Sequence, residues 1–408
     1  MKYKRRSVQA HLKELCDYFP VVAVLGARQV GKTTLIQHLF EKEYKTVTFD
    51  PAQDVGQARQ DPDLFLANHP EKLFLDEVQY APELLSAIKR SVDKNRQPGR
   101  FILSGSQNLS VVKNIAESLA GRVAILELPP LSFKELTNRP EGSFLQEWVQ
   151  KNTFTPAAAP ENPPWNKTIF RGGLPGTIDL PDHLLDRFFE GYVQTYIERD
   201  IRSVADIGNL QLFSRFYRLL SALSATEINH SELGRDLSID RRTAAAWKNV
   251  LESTYQWKEI PAFSRNAVKR IASKSKGIFT DAGMLCHLQR ITSPELIAGH
   301  PLQGRIVETW VINEIFKICS AWDHKPAFYH YRTAAGAEVD LILELNGQLH
   351  PIEIKAKTNP SKRDTLGLRS FQETFPKENT GRGLVICGCE EPMQIAPEIL
   401  AIPWHRLS

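Results

Sequence analysis

The segment Gly26-Ala27-Arg28-Gln29-Val30-Gly31-Lys32-Thr33-Thr34 has the residue types and spacing of a phosphate-binding loop, G-x-x-x-x-G-K-[ST]. Gly26 and Gly31 let the backbone curl so that its N–H groups form a nest around an anion. Lys32 neutralises charge on the β- and γ-phosphates, and Thr33 offers a hydroxyl to Mg²⁺. The helix-forming run that follows adds the positive end of its dipole. Ala27, Arg28, Gln29, Val30 and Thr34 complete the nucleotide-binding stretch.

ATP hydrolysis needs further groups, and the sequence offers candidates for each. Leu73-Phe74-Leu75-Asp76-Glu77 reads as a buried strand ending in two acids, as in a Walker B motif. Asp76 would support the Mg²⁺ ion, and Glu77 would orient and activate the attacking water. Ser106 or Asn108, after the run Phe101-Ile102-Leu103, stands where a γ-phosphate sensor would sit. Positive charge opposite the transferring phosphoryl group would come from an arginine. Arg122 is the first candidate, ahead of Arg171 and the pair Arg199 and Arg202.

Two further constellations lie towards the C-terminus. Residues 231–237 and 241–251 are short helical patterns joined by Ser238-Ile239-Asp240, a helix-turn-helix spacing with Asp240 as N-cap of the second helix. Arg241 and Arg242 open that helix, and the run 264–276 carries Arg265, Lys269, Arg270, Lys274 and Lys276 without an acid. These are candidate DNA contacts, or else a solvated face. Then Glu338-Val339-Asp340 leads through Asn346-Gly347 to Glu353 and Lys355, a two-residue hairpin whose partner numbers sum to 693. That register sets Asp340 opposite Glu353, a like-charge pair that a cation would reconcile. Asp340, Glu353 and Lys355 match the D…(D/E)-x-K pattern of the PD-(D/E)XK nuclease superfamily, and Glu308 resembles the extra acid of such sites. In that reading Glu308, Asp340 and Glu353 converge on Mg²⁺ and Lys355 positions the nucleophile.

The elements that must hold these residues are legible in the apolar pattern. Val21-Val22-Ala23-Val24-Leu25, Val47-Thr48-Phe49, Leu73-Phe74-Leu75, Phe101-Ile102-Leu103 and Val123-Ala124-Ile125-Leu126 alternate with helical stretches, the pattern of a parallel α/β sheet. A Pro-rich stretch at 155–164 reads as a loop or linker, and residues 184–251 are mostly helical. The 408 residues have a net charge of +4, too little over that length to argue for any partner. Five cysteines and no membrane-spanning or leader pattern lead to the expectation of a reduced, cytoplasmic setting with no membrane partner. Trp247, Trp257 and Trp310 are expected in the core.

The phosphate loop, Leu75-Asp76-Glu77-Val78-Gln79, Ser104-Gly105-Ser106-Gln107, Leu119-Ala120-Gly121-Arg122 and Phe170-Arg171-Gly172-Gly173-Leu174-Pro175 together resemble the prokaryotic AAA-type ATPases with a C-terminal domain of unknown function. The resemblance implies an ASCE-type P-loop ATPase, a helical and winged-helix middle, and a nuclease-like end. The expected fold class is therefore α/β: a P-loop NTPase parallel sheet, then a helical and winged-helix region, then a mixed α/β restriction-endonuclease-like domain. Expected boundaries are 1–135 for the ATPase, 136–225 for the Pro-rich loop and helical connector, 226–290 for the winged helix and 291–408 for the nuclease-like domain. The function expected is a Mg²⁺-dependent ATPase coupled to DNA binding and to metal-dependent cleavage, with self-association if an arginine acts in trans. The alternative is an ATP-switched regulatory or scaffold protein that binds DNA or partners without cleaving.

Overall fold

The computed structural model describes residues 3–49, 55–106, 118–139, 144–151, 164–201, 207–266, 268, 270, 273–376 and 379–407. Gln107, Asn108, Arg202, Lys269, nearly all of the Pro-rich stretch and the Arg199 side chain lie outside that description.

Five strands build the first sheet: β1 (Val21–Leu25), β2 (Lys45–Thr48), β3 (Leu73–Asp76), β4 (Phe101–Gly105) and β5 (Val123–Glu127). They run parallel in the order β2-β3-β4-β1-β5. Every residue of β1, β3 and β4 is buried. Strands buried on both faces read as continuous apolar runs rather than alternating ones, as these do. Being parallel, all five strands point their C-terminal ends to one rim, and the phosphate loop leaves that rim after Leu25.

A helix-turn-helix pair, His230–Leu237 and Arg241–Ser253, packs with a three-stranded antiparallel sheet of β6 (Thr226–Glu227), β7 (Trp257–Ile260) and β8 (Lys276–Phe279). Ser238 turns at φ 56°, and the Asp240 carboxylate accepts the Arg242 and Thr243 amides, so the cap expected at Asp240 is formed. Trp247, Trp257 and Trp310 are buried, as their apolar surroundings in the sequence imply.

The C-terminal sheet is seven-stranded and mixed: β9 (Ala327–Arg332), β10 (Glu338–Leu345), β11 (Gln348–Ile354), β12 (Asn379–Thr380), β13 (Gly383–Cys387), β14 (Met393–Ala396) and β15 (Ile399–Pro403). Asn346 and Gly347 both adopt positive φ, 52° and 76°, the demand of a type I′ turn. The hairpin has the expected register, from Leu345 opposite Gln348 to Leu341 opposite Ile352. Beyond that pair the strands stop exchanging backbone hydrogen bonds, and the Asp340 carboxylate takes the Ile354 amide at 2.8 Å instead. On the other side the β10–β9 register slips between Val339 and Ile342, a bulge that re-aims Asp340.

The helix Gln303–Cys319 is buried on nearly all sides, from Ile306 to Cys319. A helix apolar all round belongs at the centre of a protein, and this one joins all three regions. Its Thr309 hydroxyl bonds Ser224, Asn313 donates to the Phe279 carbonyl, and Glu314 accepts the Phe133 amide at 2.7 Å.

Candidate nucleotide site and C-terminal acid cluster

The phosphate loop is shaped by backbone that tolerates no side chain at its first glycine. A Cβ on Gly26 would stand 2.3 Å from the Leu128 carbonyl oxygen. Gly31, at φ 93°, forms the N-cap of the loop helix Lys32–Phe40. Lys32 is buried, and its ammonium donates to the Gly26 and Ala27 carbonyls at 3.0 Å each. It therefore sits inside the curl, where phosphate oxygens would take over those bonds.

Thr33 and Asp76 meet across the rim, with the Thr33 hydroxyl donating to Asp76 Oδ2 at 2.9 Å. Ser104 donates to the other oxygen, Oδ1, and accepts the Glu77 amide at 3.2 Å. Glu77 itself stands at φ 57°, a conformation that costs a non-glycine residue about 1 kcal/mol and turns its side chain out of the strand. Gln79 Nε2 and Ser106 Oγ both reach Glu77 Oε2, the latter at 3.4 Å. Lys32, Thr33, Asp76, Glu77 and Ser106 are thus brought to one rim by two strand ends and one loop. The donor set fits Mg²⁺ with ATP: a hydroxyl and a carboxylate for the ion, an ammonium for the phosphates, and a second carboxylate for water.

Sequence reasoning missed Arg6. Its buried guanidinium donates to the Val30 carbonyl at 2.9 Å, the Pro129 carbonyl at 2.5 Å and Glu135 at 3.2 Å. It braces the loop from behind through partners 24, 123 and 129 residues away. The nearest signal was a cluster of basic residues at the start of the chain, which marks charge but not direction.

The segment after Phe170 lies against the loop. Gly173 approaches so closely that a Cβ would meet the Leu131 carbonyl oxygen at 2.6 Å. The Leu131 amide donates to the Gly173 carbonyl at 2.7 Å, and Lys317 Nζ donates to the Leu131 carbonyl at 3.1 Å. The Tyr192 hydroxyl reaches the Arg28 carbonyl at 3.3 Å. Arg171 is occupied within this segment, bonding the Thr177 and Leu180 carbonyls and Asp182.

Arg122 does not reach the loop of its own chain. It precedes β5 and stands at the N-terminal rim, where its carbonyl accepts the Val21 amide. Five residues of strand separate it from the phosphate rim, about 15 Å at the usual rise. Asp93 holds its Nε at 2.6 Å.

At the C-terminal hairpin Glu308, Asp340 and Glu353 share a neighbourhood, but not as a cation cage. The Lys276 ammonium, 1% exposed, lies 2.6 Å from Glu308 Oε1, 3.4 Å from Asp340 Oδ1 and 3.7 Å from Glu338 Oε1. Glu353 Oε1 is bonded by Lys355, and its Oε2 is buried without a hydrogen-bond partner among the described residues. Burial and the neighbouring Asp340 charge push both Glu308 and Glu353 up to about 8, against the opposing pull of Lys276 and Lys355. Burial alone would lower Lys276, but Glu308 and Asp340 outweigh it and hold the ammonium charged. Among the described residues, the group of His, Cys, Asp or Glu whose ligand atoms all lie within 4.8 Å of one another is His11, Glu14 and Asp323. The expected convergence of Glu308, Asp340 and Glu353 on one cation-sized point is therefore corrected: a lysine stands among them.

Of the basic run, Lys276 is turned inside while Arg265 and Lys274 are exposed, because a count of charges does not say where side chains turn. Arg270 bonds the Tyr329 hydroxyl and the Ser264 carbonyl at 3.0 Å each, and its guanidinium stands 4.7 Å from the Tyr329 ring centroid. Arg265 lies 5.2 Å from the Phe375 ring centroid, and Lys276 is buried. Lys274, Arg241 and Arg242 are exposed. No helix among the described residues is long and apolar enough to cross a membrane.

A parallel sheet whose first strand runs into a phosphate loop, with an acid at the end of β3 bonded to the loop threonine, defines a P-loop NTPase fold. A family model described as an AAA domain matches residues 18–137, and models described as Domain of unknown function (DUF8612) and Domain of unknown function (DUF4143) match 162–295 and 303–407. The chain therefore carries an AAA-type P-loop ATPase domain followed by two domains of unknown function. Uncharacterized proteins of Mycobacterium bovis and Mycobacterium tuberculosis are each 26% identical over 409 residues, spanning 100% of this chain and 85% of theirs. A solved Walker-type ATPase of Pyrococcus abyssi aligns at TM-score 0.45 and 16% identity, over 71% of this chain and 96% of that one.

Proposed function

We propose that this chain is a Mg²⁺-dependent ATPase whose nucleotide state is passed to its middle and C-terminal regions. The observation that carries the reading is the Thr33–Asp76–Ser104–Glu77 network at the phosphate rim. When bound, Mg²⁺ would be held by Thr33 and Asp76 and would offset charge on the β- and γ-phosphates. Lys32 leaves the loop carbonyls to neutralise the γ-phosphate, and Glu77 orients the attacking water. Tyr192 on Arg28 and Pro175 beside Gly31 touch the loop itself, and they would carry its rearrangement to the middle region.

The middle region is read as a winged helix that contacts DNA through Arg241 and Arg242, the exposed opening residues of its second helix. Of the two functions expected from sequence, the ATP switch that binds without cleaving is favoured, because Lys276 stands among the acids that cleavage would need free. Fluorescence anisotropy with duplex DNA across a salt series tests the DNA arm. Replacing Arg241 and Arg242 by Ala should lower the salt slope by about one for each phosphate these side chains neutralise. An unchanged slope removes these residues from the interface.

A further inference from the structure

We propose that Lys276 is the resident counter-cation of the C-terminal acid cluster, so that this arrangement takes no divalent metal. The residues do not fit Mg²⁺ as they stand, and the misfit is specific. A small divalent ion needs about six oxygens near 2.1 Å in octahedral array. The oxygens that Glu308 and Asp340 turn towards this point are already engaged. Glu308 Oε1 and Asp340 Oδ1 face the Lys276 ammonium, the Asp340 carbonyl accepts from it at 3.3 Å, and Asp340 Oδ2 accepts the Ile354 amide at 2.8 Å. Glu353 Oε1 is engaged by Lys355; its Oε2 is buried without a hydrogen-bond partner among the described residues, and one such oxygen falls far short of six.

A lysine buried to this degree is rare unless it is partnered, and here each ammonium donor has an acceptor. The three ammonium donors have Glu308 Oε1, the Asp340 carbonyl and Asp340 Oδ1 as acceptors, with Glu338 Oε1 at 3.7 Å beyond. The position is imposed by the fold. Lys276 opens β8, where it pairs with Ile260 of β7 and Glu227 of β6, so the middle region's sheet delivers the ammonium to acids of another region. Asp340 lies within the β10–β9 register shift, between Val339 and Ile342. Metal entry would require β8 to withdraw, or the lysine to be removed. Metal binding at this cluster without nucleotide is independent of the ATPase reading.

The test is Mn²⁺ titration of the full nucleotide-free chain, by calorimetry and by the electron paramagnetic resonance of free Mn²⁺. An Asp76→Asn background keeps the phosphate rim out of the signal. Four chains are compared: that background alone, and with Asp340→Asn, Lys276→Met, or both. The expected result is no Asp340-dependent site while Lys276 is present. Lys276→Met should gain a site at least about tenfold tighter, lost again on adding Asp340→Asn. Two results overturn the proposal: an Asp340-dependent Mn²⁺ site in the chain that keeps Lys276, or a folded Lys276→Met chain that gains none. If Lys276→Met fails to fold, the first comparison still decides, because both of its chains retain the lysine.

Discussion

The Thr33 hydroxyl donates to Asp76 Oδ2 across 2.9 Å, which joins the first turn of the loop helix to the end of β3. Asp76 Oδ1 is held by Ser104, whose hydroxyl also accepts the Glu77 amide. One aspartate thus sets both the place for a metal ion and, through Ser104, the backbone of the acid beside it. This is preorganisation in the strict sense, since the groups are oriented by neighbours rather than by the substrate.

Glu77 follows from that geometry as the water-activating residue. Glu77→Gln keeps the shape and the Gln79 and Ser106 neighbours but removes the base. ATP binding, read by a fluorescent nucleotide, should stay within about twofold while phosphate release falls by about 10²- to 10⁴-fold. Turnover near the wild-type rate would remove Glu77 from the mechanism.

Arg122 should be dispensable. Its guanidinium is paired with Asp93 at the rim opposite the phosphate loop, so Arg122→Ala should leave ATP turnover within about twofold of wild type. A loss of tenfold or more, about 1.4 kcal/mol in the barrier, would instead assign it to the loop of a second copy.

The acid cluster predicts a pH signature. Glu353 is pushed up to about 8, first by burial and then by Asp340, while in the unfolded chain it titrates near 4.5. A carboxyl raised on folding contributes stability that is full below its unfolded value and is lost as pH rises through the folded one. The contribution of Glu353 to thermal stability should therefore decline between about pH 5 and pH 8. Glu353→Gln should flatten that decline, raising the midpoint at pH 8 more than at pH 5. Parallel curves for the two chains across this window would contradict it.

How much was readable in the sequence depends on the length scale of each interaction. The phosphate loop and the Asn346-Gly347 hairpin are local: backbone demands at fixed offsets, which the residue types at those offsets satisfy. Asp76 was readable because a buried strand ending in acids is short and distinctive. Lys276 was not, because its partners Glu308 and Asp340 lie 32 and 64 residues away. It read as one member of a basic run. The run Gly277-Ile278-Phe279 that follows was the available signal, since it places Lys276 at the mouth of a buried strand. Arg6, Glu314 and Lys317 escaped for the same reason. Each bonds segments more than 120 residues away, at Pro129, Phe133 and Leu131. Arg122 illustrates the converse: its motif is local, but the rim it occupies follows from the strand direction, which sets it away from the loop of its own chain.

The central claim is that ATP is hydrolysed at the loop holding Lys32, and steady-state phosphate release with Mg²⁺-ATP tests it most directly. Wild type should turn over, and Lys32→Ala should lose at least about 100-fold, since its ammonium is the group placed to meet the γ-phosphate. Equal turnover in the two chains would contradict the account.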